Sequence, residues 1–376
     1  MDNSLVTPST FSPAYDIIVF SHLRWEFVFQ RPQHIISRLA KKYNVLFVEE
    51  PVAYNETERN TYNNFNPMPG VTVWQPRVKS INAMPALLNQ YLGNTEQATA
   101  WFYSAAFVDV LNKFSFRKVI YDCMDELTLF QGAPQELQDQ EEQLLAKAHV
   151  VFTGGKLLFE AKKKRHANVY CFPSSVDVKH FQKALNGIEV PADMNFKRPV
   201  IGYYGVIDER IDYDLIRESA ALMPDVSFVM IGPVVKVDPA HLPQAANLHY
   251  LGMKPYAYLP HYLKGMDIAM MPFALNPSTK FISPTKTLEY MAAHKPIIST
   301  PIYDVIRDYG SFIEIVANAQ GFAHVARKIL SATWEARPQM VKSYTTILNN
   351  TSWDITVQKM DQLAKPERVC DKAMIS

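Results

Sequence analysis

Short, continuously apolar runs alternate with amphipathic helical stretches along almost the whole chain, and this alternation restricts the possible folds more than any other feature. The first series is "YDIIVF" (15–20), "NVLFVEE" (44–50), "VTVWQP" (71–76), "TAWFYS" (99–104), "KVIYDC" (118–123), "HVVFTG" (149–154) and "NVYCFP" (168–173). Helical stretches at 31–42, 134–148 and 155–165 lie between them. Continuous rather than every-other-residue hydrophobicity is the pattern of strands buried on both faces of a parallel sheet. "NGIEVPADMNFKRP" (186–199) then breaks both periods with two prolines and reads as an interdomain linker. A second series follows: "VIGYYG" (200–205), "VSFVMIG" (226–232), "NLHYLG" (247–252), "DIAMMPF" (267–273), "PIIST" (296–300) and "FIEIV" (312–316). The expected fold class is α/β, with two doubly wound, Rossmann-like domains facing each other across a cleft. The expected units are residues 1–185, the linker, residues 200–350, and a C-terminal helix within 351–376. In that helix Trp353, Val357, Met360 and Leu363 form a stripe that packs back towards the first domain. A chain of 376 residues is long enough for two cores.

Composition narrows the function. A formal net charge of +1 argues against a general nucleic-acid binder, whose affinity rests on many phosphate contacts. The three cysteines, Cys123, Cys171 and Cys370, are far apart and form no C-x-x-C, which fits a reducing compartment and no disulfide scaffold. No H-E-x-x-H occurs among the ten histidines, and no metal site is expected. "MDNSLVTPSTFSPAYD" lacks the basic start and apolar core of a signal peptide. No run approaches the ~18 apolar residues of a membrane span. The expected location is the cytoplasm, with the basic run "AKKKRH" (161–166) read as a solvated helix end and, secondarily, as a weak contact with the inner membrane surface.

Three stretches carry more polar chemistry than folding requires. In "SPTKTLEYMAAHKPIIST" (283–300), Ser283 suits a helix N-cap and Pro284 its first turn. A phosphate there would meet free backbone N–H groups, the Ser283 and Thr285 hydroxyls and the Lys286 ammonium. Glu289, about 1.5 turns on, can accept hydrogen bonds from sugar hydroxyls. The structural alternative is a capped helix with a solvated lysine and glutamate. "SHLRWEFVFQRPQH" (21–34) brings His22, Arg24, Trp25, Arg31 and His34 to the carboxyl edge of the first sheet, and "YDCMDEL" (121–127) brings Asp122, Asp125 and Glu126. Such positions are where α/β enzymes place acid–base groups, although helix caps and ion pairs use the same residues. Other signals carry less. "DYD" (212–214) opens a helix after a strand, so Asp212 is read as an N-cap rather than a metal ligand. "TGGK" (153–156) lacks the upstream glycine of a phosphate loop and has Leu157 at the magnesium position. No G-x-G-x-x-G follows the first strand of either series, which counts against a nicotinamide dehydrogenase.

On these residues the chain resembles GT-B glycosyltransferases, in particular bacterial family 4 (group 1) enzymes of polysaccharide assembly. The resemblance is strongest over 200–300, where "GYYGVIDERID", "FVMIGP", "LGMKPYAYLPHYLKGMDIAMMPF" and the 283–300 stretch occur in the family's order. "SSVDVKHF" (174–181) resembles the family's Gly-Val-Asp segment, with Ser175 for the glycine, and "SHLRWEFVFQRPQHIISRLA" resembles a polysaccharide-assembly subgroup. The resemblance implies that Glu289 binds the nucleotide ribose, that Arg210 with Lys286 faces the diphosphate, and that the nucleobase rests on Met253 and Lys254. It implies a nucleotide-diphosphate sugar donor, with a UDP-sugar favoured, no cofactor, and a glycan or lipid-linked acceptor entering from the first domain beside Trp25 and Arg31. Asp125, Asp122 or His22 would be the general base of an inverting reaction; in a retaining one the departing phosphate could take the proton. Three positions depart from the family: Phe281 replaces the first of two glutamates, Asp214 stands near an expected lysine, and Asp122 and Asp125 stand where a cleft histidine is common. A sugar-nucleotide epimerase of the same build and a catalytically silent scaffold of a polysaccharide-assembly complex are the rival readings.

Overall fold

The structure, a computed structural model, describes residues 14–52, 54, 61–331 and 336–365. Most of the leader reading, Cys370 and residues 366–376 lie outside these. The first half of the chain supplies strands β1 (Ile17–Ser21), β2 (Val45–Glu49), β3 (Thr61–Met68), β4 (Val71–Arg77), β5 (Thr99–Phe102), β6 (Lys118–Cys123), β7 (Val150–Thr153) and β8 (Val169–Cys171). Around them lie helices α1 (Arg31–Leu39), α2 (Met84–Tyr91), α3 (Glu136–Lys147), α4 (Lys156–Lys162) and α5 (Val178–Phe181). The eight strands form one sheet in the order β3-β4-β2-β1-β5-β6-β7-β8, parallel except for β3. Alternate residues of β1 enter different cores: Ile17 and Val19 on one face, Ile18 and Phe20 on the other. That is why its sequence is apolar without a break. The expected strands are all present. The additional one, β3, is mostly exposed and polar and lacks the apolar signal by which the others are recognised.

The second half supplies β9 (Val200–Tyr204), β10 (Ser227–Ile231), β11 (Leu248–Tyr250), β12 (Ile268–Met271), β13 (Ile297–Ser299) and β14 (Glu314–Ile315). Its helices are α6 (Tyr213–Leu222), α7 (Leu259–Gly265), α8 (Lys286–Ala292), α9 (Tyr303–Tyr309), α10 (Ala319–Leu330), α11 (Arg337–Leu348) and α12 (Trp353–Ala364). The parallel strand order β11-β10-β9-β12-β13-β14 reverses direction between β9 and β12, the switch point at which such sheets bind ligands.

The chain joins the second body earlier than residue 200. Val176, Phe181, Ala184 and Met194 are all part of the second core, because the segment after β8 packs its apolar side chains there. The proline-bearing stretch is fastened as well: Asp193 accepts hydrogen bonds from Lys254 (2.7 Å) and Tyr262 (3.0 Å). Helix α12 runs back to the first domain, burying Trp353, Val357 and Met360 against the α1 face of the sheet. Arg38 pairs with Asp354 (2.8 Å), and Tyr43 donates to Asp361 (2.8 Å). Among the described residues no helix is long and apolar enough to cross a membrane.

Candidate functional site

The carboxyl ends of the two sheets face each other over two joined cavities. The smaller, about 130 Å³, lies between Gln30, Asp125 and Ser174 of the first domain and Tyr204, Tyr256, Lys286 and Glu289 of the second. The larger, about 560 Å³, is walled by His22, Phe27, Phe130, Leu137, Val235 and Lys236. Gln30, Met124, Asp125, Val206 and Arg210 border both and mark the seam.

The second-domain wall begins where β9 ends. Gly205 has φ 143°, and a Cβ on it would lie 2.3 Å from Lys286 Cε. Gly232, at the end of β10, has φ 148°, and a Cβ there would lie 1.8 Å from the Gly205 carbonyl oxygen. Both positions need glycine, and the space they leave lets the lysine stem cross the strand end. Lys286 Nζ sits 5.5 Å from the Tyr203 ring centroid and 5.9 Å from that of Phe273. Among the described residues it forms no ion pair within 4.0 Å. Burial lowers its pKa to about 8, with Glu289 opposing the shift and Arg210 adding to it. Glu289 is 5% exposed; its Oε2 accepts the Tyr204 hydroxyl at 2.6 Å, and no partner is seen for Oε1 among the described residues. Burial raises its pKa, while the Tyr204 bond and Lys286 pull it down.

Helix α8 begins later than its sequence suggests. The Thr287 N–H donates to the Pro284 carbonyl (3.3 Å), and the α-helix opens at Lys286 with Thr285 as N-cap. Ser283 is therefore not the cap, and its carbonyl accepts instead from the Ser174 hydroxyl of the other domain. The Thr285 hydroxyl makes no capping bond. Ser283, Thr285 and Lys286 all line the smaller cavity. Arg210 stands at the seam, held by Asp208 through Nε (3.0 Å) and Nη2 (2.7 Å), with its guanidinium 5.3 Å from the Phe130 ring centroid. Asp214 lies outside both cavities, exposed and paired with Arg217 (2.6 Å). Phe281, at the position of the family's first glutamate, is partly buried against the first domain's core.

Of the first-domain candidates, Asp125 lines both cavities, and no hydrogen bond or ion pair to its carboxylate is seen among the described residues. Burial raises its pKa, with Arg210, Arg31 and Lys286 pulling it down. His22 faces the larger cavity; burial and nearby Lys236 lower its pKa to about 4, so its ring is neutral at pH 7.

Four calls need correction. Asp122 lies on β6, fully buried, and is held by the Arg31 Nε (3.1 Å) and Nη2 (2.8 Å), so it is one half of a structural ion pair rather than a base. Arg31 is equally committed: 3% exposed, it also donates from Nη1 to the Phe172 carbonyl (2.7 Å). Trp25 packs edge-on to Phe47 (5.2 Å) and lines neither cavity, whereas Phe27 of the same loop, half-buried, lines the larger one. Met253 and Lys254 are also outside: Lys254 pairs with Asp193 (2.7 Å), and Tyr256 and Leu259 of the following turn face the smaller cavity instead.

The basic run 161–166 is not wholly solvated. Lys162 is fully buried, with Nζ 2.8 Å from Glu126 and 2.6 Å from Glu141, and Arg165 reaches Glu141 (2.6 Å). This network anchors the loop that carries Asp125. Gln33 was also missed. Fully buried, it accepts from the Gln30 N–H (3.1 Å) and donates to the Arg24, Trp25 and Val28 carbonyls, fixing the loop ahead of α1. Asp212 is the N-cap of α6, accepting from the Leu215 N–H (2.9 Å). Among the described residues no group of three or more His, Cys, Asp or Glu side chains is arranged to hold a metal ion.

With this geometry in hand, comparison with known proteins is informative. Residues 198–332 match the family described as glycosyl transferases group 1. TuaH of Bacillus subtilis (strain 168), whose name places it among teichuronic acid biosynthesis glycosyltransferases, is 25% identical over 223 residues, 55% of this chain and 56% of that protein. The match thus spans about half the length of that relative. Among solved structures, a sucrose-phosphate synthase from Thermosynechococcus elongatus superimposes with a TM-score of 0.67 at 15% identity, covering 92% of this chain and 97% of its own. A UDP-forming α,α-trehalose-phosphate synthase from Burkholderia xenovorans, in complex with glucose-6-phosphate, gives 0.67 at 10% identity, covering 93% and 99%. An Escherichia coli structure titled trehalose-6-phosphate, bound with UDP-2-fluoro glucose, gives 0.65 at 11%, covering 93% and 98%. The fold is GT-B, and the second domain is a group 1 glycosyl transferase domain.

Proposed function

We propose that the chain transfers a sugar from a nucleotide-diphosphate sugar to a glycan or lipid-linked acceptor in cell-surface polysaccharide synthesis, without a metal ion. One observation carries the reading: among the described residues, at the switch point of the second sheet, no anionic partner is seen for Lys286 and none for Glu289 Oε1, and across the same cavity no partner is seen for the Asp125 carboxylate. The relatives' names support the donor class. One neighbour was solved with a UDP-sugar analogue, which favours a UDP-sugar here.

The diphosphate would lie against the Ser283 and Thr285 hydroxyls, with Lys286 and Arg210 neutralising the charge that grows as it departs. These two cations would do the work that a divalent ion does in other transferases. The ribose would bind Glu289 Oε1, and the base would sit by Tyr256 and Leu259. The acceptor would occupy the larger cavity against Phe27 and Phe130, next to His22. Its hydroxyl oxygen attacks the anomeric carbon, the bond from that carbon to the diphosphate oxygen breaks, and the electron pair leaves with the diphosphate. Asp125, at the seam, is the carboxylate placed to take the hydroxyl proton.

The test is a thermal-shift screen of UDP, GDP, dTDP and CMP, followed by transfer assays with the stabilising nucleotide's sugars, each with and without EDTA. A ligand at a hundred times its Kd stabilises the fold by about 2.7 kcal/mol, a readily measured shift. UDP is expected to give it, and EDTA to leave binding and transfer intact. No shift with any of the four nucleotides overturns the reading. Donor turnover without acceptor identifies an epimerase, and nucleotide binding without turnover identifies a scaffold.

A further inference from the structure

The two domains also meet beside the cavities, at a contact that neither the donor nor the acceptor reading uses. Helix α4 of the first domain starts at Lys156, and its N-cap is Gly155, which has no side chain with which to satisfy the first N–H groups. The other domain satisfies them. Asp304 on α9, 3% exposed, accepts from the Lys156 N–H at 2.8 Å and from the Leu157 N–H at 3.2 Å and 3.3 Å through its two oxygens. A Cβ on Gly155 would lie 2.6 Å from Asp304 Oδ2 and 3.3 Å from Ser283 Cβ, so only glycine admits this approach. Ion pairs surround the contact: Lys156 with Asp308, and Glu160 with Arg307 at 2.7 Å. "TGGK" therefore does present a helix start to an anion, but the anion is a carboxylate of the same chain.

The contact adjoins the donor wall. Gly154, one residue before Gly155, lines the smaller cavity, as does Ser283. The loop that leads to Lys286 closes on the same face of the first domain, through Phe281 against its core and the Ser283 carbonyl on Ser174. Domains joined by modest contacts open and close by default, so a buried, charge-assisted cap across the gap sets how often they are shut. We infer that Asp304 is a positioning residue: by capping α4 from the opposite domain, it holds the cleft closed and sets the Ser283–Lys286 wall at its working distance from Asp125. The inference rests on the proposed transfer only for its kinetic readout.

The experiment compares Asp304→Ala, Asp304→Asn, Gly155→Ala and the double variant Asp304→Ala/Gly155→Ala with the unaltered chain. Small-angle scattering with and without UDP is read alongside transfer kinetics. Asp304→Ala and Gly155→Ala, which act from opposite sides of the gap, are each expected to enlarge the radius of gyration of the free protein. Each should lower kcat about tenfold or more while leaving the UDP Kd within about threefold, since a displacement of 1 Å at a reacting centre is enough for such a loss. Asp304→Asn keeps an acceptor oxygen and should recover most of the rate. The double variant should be no worse than either single one, because both break one contact. Unchanged scattering and kcat in Gly155→Ala and Asp304→Ala, or a lower melting temperature alone, overturns the assignment; if Asp304→Ala does not fold, Gly155→Ala and Asp304→Asn decide it. Altered scattering in a protein that transfers no sugar leaves the clasp standing and removes the transferase reading instead.

Discussion

At the carboxyl end of the first sheet, Arg31 faces Asp122 and Lys162 faces Glu126 and Glu141, each charge closed by another at 2.6–2.8 Å. At the carboxyl end of the second sheet, among the described residues, Lys286 has no such partner and Glu289 shares only one oxygen, with a tyrosine. Both groups are buried charge at the edge of a parallel sheet. The first is complete within the protein and therefore structural, because removing either member leaves an uncompensated charge. The second is incomplete, and a ligand that supplies the missing charges gains what the protein has not already used. Asp125 belongs with the second group although it lies in the first domain.

The comparison can be broken most sharply at Asp122. Asp122→Asn should cost about 3 kcal/mol or more in unfolding free energy, read from urea titrations, since Arg31 would stay buried without its counter-charge. A nearly unchanged urea midpoint would show that the pair is not structural. Next is Asp125→Asn, close to isosteric, which should lower turnover by about 10²-fold or more and leave nucleotide affinity within about twofold. Normal turnover would remove Asp125 as the base. Glu289→Ala should weaken nucleotide binding roughly tenfold or more by calorimetry, as a lost carboxylate–hydroxyl pair costs about 1.5–3 kcal/mol; unchanged binding ends the ribose assignment.

The smallest effect is a pH dependence. The pKa of Lys286 lies at about 8 in the free protein, below its ordinary value, and a bound diphosphate would raise it by stabilising the ammonium. Binding then takes up a proton above that pKa. Affinity should be level below about pH 8 and fall with rising pH beyond it, by up to tenfold per unit, until the raised pKa of the complex is reached. Calorimetry in buffers of different ionisation enthalpy counts the proton directly. In Lys286→Met both the proton uptake and this slope should vanish.

Much of the fold was legible in the chain. Runs such as "IIVF" in β1 and "VIGYY" around β9 are apolar at every position, which only a strand covered on both faces tolerates. β3 escaped because an exposed antiparallel edge strand buries little and leaves no such mark. In the candidate site, Lys286, Glu289 and Asp125 line the smaller cavity at the strand end and helix start where local sequence puts them, and Arg210, singled out only by the family resemblance, lines it as well. The roles expected of Asp122, Arg31 and Trp25 failed for a common reason: their respective partners Arg31, Asp122 and Phe47 come from distant strands and helices, and no local pattern records such pairings.

By itself the sequence determined the period of each element and the two series of strands, because backbone geometry and burial act within a few residues or one strand. Only the tertiary structure decided which charges are answered. Asp304 capping a helix about 150 residues earlier, Phe281 turned into the other domain and Lys286 left without an ion-pair partner among the described residues all depend on what packing brings within 3–4 Å, and Coulomb and hydrogen-bond energies are decided at that distance.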